Sequence, residues 1–302
     1  MNNSEEIGWL AIDWGTTNFR IFAMSKSGDV VKTIERPMGI LQVKDSKYSE
    51  ELKNILTESF GDESYTNFPV MMAGMIGSKQ GWHDANYVPT PSSINTITES
   101  KYQFTLDWGA DAAILPGISH KSDDRYEVMR GEEIQLFGLS ELVSQDEFCA
   151  LFPGTHSKHI YYKKDQVVCF DTFMTGELFS VLSKNSILGA NLPEQQTSFD
   201  DFQKGVLDSK DSNIMNALFQ VRTKRLFGDV EEDKVLDYLS GLLIGYELRM
   251  IKTDQVYIVG GEHLTDRYKH ACGLLGVEAM SFSGDNCFVS GMKKVKEIND
   301  DN

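Results

Sequence analysis

The alternation of apolar and polar positions over the first sixty residues predicts three strands followed by a helix. Apolar runs in "GWLAI" and "FRIFAM" flank the polar turn "DWGTTN", and a third run, "VVKTIE", follows a Gly-Asp pair, which is typical of a three-stranded meander. In "YSEELKNILTESF" apolar residues recur at helical spacing from Leu52 to Phe60, and Gly61 stands where a C-terminal cap belongs.

The next sixty residues contain two buried strands separated by a polar stretch. "FPVMMAGMIG" is an apolar strand that runs into a glycine-rich end, and "DAAILPGI" is a second short strand. Residues 82–102 are polar and contain proline, which predicts a long ordered loop or small strands with little helix. The most polar stretch, "SHKSDDRYE", is the best candidate for a boundary between two domains, residues 1–120 and 121–302.

The second half repeats the opening pattern. After the helix "GEEIQLFGLSELV", the segment "FCALFPGTHSKHIYYKKDQVVCF" reads as strand, turn, strand and strand. Aligning Ala150 with Ala11 superposes the two turns, with the residue pairs Gly154 and Gly15, Thr155 and Thr16, and Ser157 and Asn18. The sequence therefore contains an internal duplication.

Helices and one further strand follow the second copy. "NIMNALFQVRTKRLF" and "VLDYLSGLLIGYELRMI" predict helices, "QVYIVGG" predicts a strand that ends in glycines, and "LTDRYKHACGLLG" predicts another helix. The tail from Lys293 is charged, and we expect it to be frayed.

Composition excludes several classes of partner. A chain of 302 residues with 41% hydrophobic residues suits two globular domains, and 45 acidic against 29 basic residues give a net charge of −16. This charge argues against nucleic acid and anionic membranes as partners. A polar, acidic start without a long apolar run predicts a cytoplasmic protein, and four cysteines without a C-x-x-C pair predict reduced thiols.

The repeated turn has two interpretations. Each copy could be a plain hairpin, or the backbone N–H groups of Gly15 to Asn18 could hold phosphate while Asp13 holds Mg²⁺. The duplication favours the second interpretation, because two such loops can clamp one nucleotide. The candidate nucleotide-binding residues are Gly15, Thr16, Thr17, Asn18 and Arg20 in the first copy, and Gly154, Thr155, His156, Ser157 and Lys158 in the second. For Lys158 an exposed strand position, and for His156 a purely local backbone contact, remain alternatives.

The order of these features resembles that of the actin-like ATPase superfamily, which includes the sugar kinases. The resemblance implies an α/β, two-domain, ribonuclease H-like fold with a duplicated β-β-β-α-β-α core and a central cleft. It also implies that the two loops face each other and that Gly260 and Gly261 lie near the adenosine of ATP.

Five motifs in order, "LAIDWGTTNFR", "AGMIGSKQGW", "VMRGEEIQLFG", "PGTHSKHI" and "TFMTGELF", resemble those of the 2-dehydro-3-deoxygalactonokinase family. The resemblance implies transfer of the ATP γ-phosphate, with Mg²⁺, to the C6 hydroxyl of 2-dehydro-3-deoxy-D-galactonate in galactonate catabolism. Lys79, Glu127 and Ile134 stand where we expect Arg, Asp and Thr in the family. These departures leave the identity of the sugar acid open.

The glycine-rich strand end corresponds to the sugar-binding segment of related kinases. The residues implied to contact the sugar are Gly74, Met75, Ile76, Gly77, Ser78, Lys79 and Trp82. The alternative is a tight turn that lets the backbone pass close to a helix. Because the substrate is an anion, we expect Arg130, with its planar fork, and Lys79 to hold its carboxylate; a surface ion pair is the alternative role of Lys79.

The carboxylate that accepts the proton of the sugar hydroxyl is chosen by position. Asp111, Glu132, Glu133 and Asp171 are the candidates. In the related glycerol and xylulose kinases a Gly-Asp pair opens the corresponding helix, and its aspartate is the base. Here Gly131 falls on that aspartate and Glu132 follows, so we expect Glu132 to be the base, with Glu133 as its nearest rival. Capping of the helix, or pairing with Arg130, is the alternative role of Glu132.

Three hypotheses about function follow. The first is a kinase for 2-dehydro-3-deoxygalactonate, the second is a kinase for another sugar or sugar acid on the same fold, and the third is an ATP-driven binding module of the actin and Hsp70 type. We expect ATP and a small-molecule sugar acid as partners, and homodimer formation is kept as a hypothesis.

Overall fold

The computed structural model describes residues 6–61, 65–210 and 213–301. The first half contains the elements β1 (Ile7–Trp14), β2 (Phe19–Ser25), β3 (Val30–Arg36), α1 (Tyr48–Phe60), β4 (Val70–Ala73), β5 (Tyr87–Pro89), β6 (Ser92–Ser93), α2 (Ile94–Glu99), β7 (Tyr102–Thr105), β8 (Asp111–Ile114), β9 (Gly117–Ser122), β10 (Arg125–Met129) and α3 (Glu132–Leu142). The second half contains β11 (Glu147–Phe152), β12 (Ser157–Lys163), β13 (Gln166–Phe173), α4 (Thr175–Asn185), α5 (Phe199–Asp208), α6 (Ile214–Leu226), α7 (Val235–Leu248), β14 (Gln255–Gly260), α8 (Glu262–Leu275), β15 (Glu278–Ser283) and α9 (Gly284–Asp301).

The chain divides into two compact units. The first holds the described residues up to Asp146, together with Tyr162–Cys169 and the helix α9, and the second holds Glu147–Tyr161 and Phe170–Ser283. The predicted domain boundary at residue 120 stays a prediction.

In the first unit a six-stranded sheet has the order β3-β2-β1-β4-β8-β7. Apolar side chains of this sheet and of α1 form one buried cluster, which includes Leu10, Ile12, Leu52 and Leu56. Strands β1 and β4 are parallel, and Asp13 pairs with Ala73 at their carboxyl ends. The polar loop after β1 and the glycine turn after β4 therefore leave the sheet at the same edge.

The second unit repeats this arrangement. Its strands lie in the order β15-β14-β11-β12-β13, in which β11 and β14 are parallel. Leu151 pairs with Ile258 near the ends of these two strands. The loop after β11 and the glycines after β14 therefore leave the sheet at one edge, as the corresponding segments do in the first unit.

Helix α9 packs closely against α3 in the first unit. An added Cβ at Gly138 would lie 1.7 Å from the carbonyl oxygen of Cys287, and one at Gly291 would lie 2.0 Å from that of Ile134. The prediction of a frayed tail from residue 293 is wrong, because α9 continues to Asp301 and buries Val295.

Most predicted elements are confirmed. Helix α1 ends at Gly61, whose φ of +82° fits a glycine cap. The predicted loop over residues 82–102 contains two short strands and also α2, and the polar stretch Ser119–Glu127 forms the β9–β10 hairpin within the first unit. Helices α4 and α5 were not predicted. Within residues 6–61, 65–210 and 213–301, every helix is too short or too polar to cross a membrane.

Candidate functional site

The first polar loop is a tight turn supported from behind by a glycine. The N–H of Gly15 donates to the carbonyl of Asn18 at 2.9 Å, and Thr16 and Thr17 are exposed at the tip. An added Cβ at Gly39 would lie 2.1 Å from the carbonyl carbon and oxygen of Thr16. Gly39 is therefore required for the loop to lie where it does, and the sequence analysis missed it.

Asp13 stands at the end of β1 opposite Arg20 on β2. Nη2 of Arg20 lies 2.6 Å from Oδ2 of Asp13, and Nη1 of the same guanidinium contacts Asp285 at the start of α9. Burial raises the pKa of Asp13, while the charge of Arg20 opposes that rise. Arg20 thus orients the predicted metal ligand. Asp285 carries no sequence signal of its own, because it lies at the other end of the chain.

The three motifs of the first unit meet at two glycines. Gly74 has a φ of +94°, and an added Cβ there would lie 2.8 Å from the carbonyl oxygen of Trp14 and 3.1 Å from Oδ1 of Asp13. An added Cβ at Gly131 would lie 3.5 Å from Cα of Gly74. The structure therefore brings together the first loop, the glycine turn and the start of α3.

Arg130 lies beside the glycine turn and is 8% exposed. Its Nη2 donates to the carbonyl of Asn86 at 2.7 Å, and its guanidinium stacks 4.3 Å from the ring centre of Tyr87. An added Cβ at Gly77 would lie 2.9 Å from Nη1. Among the described residues, Nε and Nη1 of Arg130 have no hydrogen-bond partner although both are buried.

The other residues of the glycine-turn motif occupy different environments. Ile76 is fully buried. Trp82 stacks on Tyr48, and both Trp82 and Met75 pack against the hydrophobic cluster of the first unit. Ser78 is buried, whereas Lys79 is exposed. The turn is tight, with Gly74 against the backbone of Trp14 at the end of β1, and contact of these residues with a sugar stays a prediction.

The two glutamates at the start of α3 differ in exposure. Glu133 is fully buried and accepts the N–H of Gly131 with both oxygens, whereas Glu132 is half-buried and accepts the N–H of Arg130 at 3.1 Å. Burial, followed by the charge of Glu132, raises the pKa of Glu133 to about 8. Glu132 thus contacts the backbone of Arg130, the residue before the N-cap Gly131, and its assignment as the base stays a prediction.

Two further carboxylates were candidates for the base. Asp111 begins β8, which is parallel to β4, so it lies at the opposite end of these strands from Gly74. Asp171 is exposed on β13 in the second unit. The structure does not bring Asp111 together with Asp13 and Gly131.

The second polar loop has the same construction as the first. An added Cβ at Gly176 would lie 2.4 Å from the carbonyl oxygen of Gly154, and the N–H of Glu177 donates to the carbonyl of Thr155. The exposed His156 places Nε2 2.5 Å from a carboxylate oxygen of Glu177. Each loop is therefore backed by a glycine from the segment that follows its third strand.

Two residues after this loop point into the unit. Lys158 is buried, so its alternative as an exposed strand residue is wrong, and its Nζ lies 3.4 Å from the carbonyl of His156. Ser157 is fully buried and donates to Glu247 on α7. Any phosphate contact of Ser157 therefore has to come from its backbone.

A cavity of about 220 Å³ in the second unit joins the second loop to the start of α8. Gly260 ends β14, and Gly261 precedes α8 with its carbonyl accepting the N–H of Thr265. The cavity is lined by Gly154, Thr155, Thr175, Gly176, Phe179, Ser240, Leu243, Ile244, Leu264 and Tyr268. Its mainly apolar lining with a few polar groups has the character of a small-molecule site.

Within the described ranges, His, Cys, Asp and Glu side chains form no group of three or more that could hold a metal. Asp13 offers a single carboxylate, in which Arg20 occupies Oδ2 and Oδ1 lies beside Gly74. This donor set fits Mg²⁺ that is held mainly by water and phosphates, because Mg²⁺ usually keeps several waters.

Two glycine-backed loops on duplicated sheets, and a cavity between one loop and a strand-Gly-Gly-helix segment, define the actin-like ATPase fold of a sugar kinase. The chain belongs to the 2-keto-3-deoxy-galactonokinase family, which it matches over residues 13–295. It is thus an ATP-dependent sugar kinase, and the predicted family is confirmed. The third hypothesis, an ATP-driven binding module, does not agree with membership of a kinase family.

Similar proteins extend along nearly the whole chain. The 2-dehydro-3-deoxygalactonokinase of Escherichia coli (strain K12) is 32% identical and covers 95% of this chain and 97% of its own length. The crystal structure of a 2-dehydro-3-deoxygalactonokinase protein from Sinorhizobium meliloti has a TM-score of 0.88 and 28% identity, and the match covers 96% of this chain and 98% of that chain. The activator of the 2-hydroxyisocaproyl-CoA dehydratase from Clostridium difficile, with bound ADPNP, shares the fold at a TM-score of 0.51 and 12% identity. This match covers 97% of this chain and 96% of that chain.

Proposed function

We propose that this kinase transfers the γ-phosphate of ATP to the C6 hydroxyl of 2-dehydro-3-deoxy-D-galactonate, giving 2-dehydro-3-deoxy-6-phosphogalactonate. The observation that carries this proposal is the convergence of Asp13, Gly74 and Gly131 in the first unit. Phosphoryl transfer needs phosphates, metal and acceptor hydroxyl held together, and these residues belong to the three motifs that would hold them. The name of the Escherichia coli relative supports the choice of sugar acid.

The two loops hold the phosphates, and the cavity beside the second loop accepts the adenosine. Thr16 and Thr17, and Thr155 and His156, are exposed residues of the two turns, and turn amides suit anions because they can form a concave anion site. Gly261 directly precedes α8, whose Leu264 and Tyr268 line the cavity. In this proposal residues 1–120 carry the first loop and the sugar segment, and residues 121–302 carry the second loop and the adenosine site.

Mg²⁺ would be held by Asp13, through Oδ1 or through water bound to it. It would offset the charge of the phosphates during transfer. Arg20 keeps the Asp13 carboxylate in place through Oδ2, so that the other oxygen stays directed toward the glycine turn.

The sugar acid lies along the glycine turn, with its carboxylate at Arg130 and Lys79. Arg130 supports this role because its Nε and Nη1 lack hydrogen-bond partners among the described residues, and a buried donor without an acceptor is unfavourable until an anion accepts its hydrogen bond. Glu132 acts as the base, because it is half-buried beside Gly131 whereas Glu133 is fully buried with a raised pKa.

Purified protein, ATP, Mg²⁺ and a panel of sugar acids and neutral sugars test this proposal by ADP release. We expect the highest kcat/KM with 2-dehydro-3-deoxy-D-galactonate, and a phosphorus-proton coupling at C6 of the product. A neutral sugar as the best substrate would overturn the assignment of the carboxylate site. A different sugar acid as the best substrate would favour the second hypothesis.

The predicted location and oligomeric state belong to the same proposal. The four cysteines are free thiols, and burial raises the pKa values of Cys272 and Cys287 to about 12, which suits a reducing cytoplasm. Homodimer formation stays a prediction that a sedimentation measurement tests.

A further inference from the structure

A buried carboxylate on α7 collects four hydrogen bonds in the second unit. Glu247 is 3% exposed. Its Oε1 lies 2.6 Å from Oγ of Ser157 and 3.0 Å from Nε2 of His159. Its Oε2 accepts the hydroxyl of Thr175 and, at 2.7 Å, that of Tyr268.

The donors leave no lone-pair direction of this carboxylate unused. Two oxygens of an ionised carboxylate offer about four acceptor sites, and the three hydroxyls and one imidazole supply four partners. Burial, followed by the charge of Glu247, holds the pKa of Tyr268 well above its usual value, so the phenol remains a donor. A buried polar network that is satisfied in this way is rigid.

Two of the four partners of Glu247, Thr175 and Tyr268, line the 220 Å³ cavity. Thr175 begins α4 and Tyr268 lies on α8, and both line the cavity from different elements. Ser157 begins β12 directly after the second loop. One carboxylate therefore connects the loop and two walls of the same cavity.

We infer that Glu247 is a positioning residue for nucleotide binding, which sets the distance between the second phosphate loop and the two walls of the adenosine cavity. This inference rests on the proposed function, because it takes the cavity as the adenosine site. Glu247 itself lines neither the cavity nor the loop. It acts through Thr175 and Tyr268, which line the cavity and whose hydroxyls donate hydrogen bonds to its Oε2.

The second unit offers a matched pair of tyrosines for the test. Tyr268 and Tyr238 are both 1% exposed, and their hydroxyls donate to the carboxylates of Glu247 and Asp208 at 2.7 and 2.8 Å. Only Tyr268 lines the cavity. Calorimetric titration of ADP into wild type, Tyr268→Phe, Tyr238→Phe and Glu247→Gln measures nucleotide affinity without sugar or turnover.

We expect Tyr268→Phe to weaken ADP binding about fivefold or more, in the range of a lost hydrogen bond to a charged group. Tyr238→Phe should stay within about twofold of wild type, although both variants lose a hydrogen bond from a buried tyrosine to a carboxylate. Glu247→Gln should weaken ADP at least as much as Tyr268→Phe and leave the KM for the sugar acid nearly unchanged.

The outcomes separate this inference from the proposed function. Equal ADP affinities of Tyr268→Phe and Tyr238→Phe, both folded by circular dichroism, would overturn the role of Glu247 and leave the kinase assignment intact. A wild type that binds no ADP would instead overturn the assignment of the cavity to adenosine. If Glu247→Gln does not fold, the tyrosine pair still decides the question.

Discussion

Both carboxylate oxygens of Glu133 accept the backbone N–H of Gly131, at 2.9 and 2.7 Å. This contact fixes the start of α3 next to the glycine turn. It also keeps a carboxyl group out of water, and burial raises its pKa from 4.5 to about 8. The same residue thus links the geometry of the site to its dependence on pH.

The stability of the protein should fall with rising pH because of Glu133. The folded state keeps the Glu133 proton up to about pH 8, whereas the unfolded chain loses it near pH 4.5. The contribution of Glu133 to the free energy of unfolding is therefore complete below pH 4.5 and is lost as the pH rises through 8. Glu133→Gln removes this titration. In urea unfolding at pH 5, 6.5 and 8, the free energy of unfolding of the variant should rise by at least ~1 kcal/mol relative to that of wild type as the pH increases. Glu262→Gln, an exposed first-turn glutamate of α8, is the control.

Glu132→Gln should lower kcat about 10²–10⁴-fold, because it removes the acceptor of the sugar proton. The KM for the sugar acid should change little. Glu133→Gln should retain more activity, because a buried carboxyl with a pKa of about 8 is mostly protonated at neutral pH. Steady-state kinetics of both variants decide the assignment. A Glu132→Gln variant with more than a tenth of wild-type kcat, beside an inactive Glu133→Gln, would move the base to Glu133.

Asp13→Asn should keep the fold and lose turnover by about 10³-fold, since the developing charge on the phosphoryl group loses its metal ligand. Asp285→Asn is the control, because Asp285 is the other partner of Arg20. If the role of Asp13 were only to neutralise Arg20, both variants would lose activity alike. ADP release across a Mg²⁺ titration is the measurement, and near-normal activity of Asp13→Asn would end the metal assignment.

Arg130→Ala should raise the KM for the sugar acid by about 10- to 100-fold and leave the KM for ATP nearly unchanged, because a charged hydrogen bond to the carboxylate is lost. Arg125→Ala, an exposed arginine on the preceding strand, serves as the control. Thermal melts with and without the sugar acid provide a second measurement. A ligand-induced shift in Tm of equal size in wild type and Arg130→Ala would contradict the contact.

The glycines behind the two loops should not tolerate a methyl group. Gly39→Ala and Gly176→Ala each place a Cβ within 2.4 Å of loop backbone, so we expect each to destabilise its unit by about 1–3 kcal/mol and to weaken ATP binding. Gly273→Ala adds a Cβ with no atom within 4 Å on α8, and it should be neutral or stabilise by up to about 1 kcal/mol. Chemical unfolding together with nucleotide titration compares the three variants.

Local patterns predicted the parts of the site that lie close together in sequence. The duplicated pattern located both loops, because strand and turn chemistry repeat in the sequence. The predicted strand "GWLAI" stops at Ile12, two residues before β1 ends at Trp14. Gly39, Asp285 and Glu247 were missed for one physical reason. Each acts on a loop or side chain that is distant along the chain, and a single sequence carries no signal of which distant positions come into contact.

The close packing of α3 against α9 has a consequence for how the protein is made. Gly138 and Gly291 lie against backbone of the opposing helix, yet all of the second unit is encoded between them. At roughly 5–20 residues per second, a ribosome that has completed α3 needs on the order of ten seconds to deliver its partner. During this interval the second unit can fold as an insertion. The first unit meanwhile exposes the face of α3 that α9 later covers, and a chaperone or a premature contact could bind there.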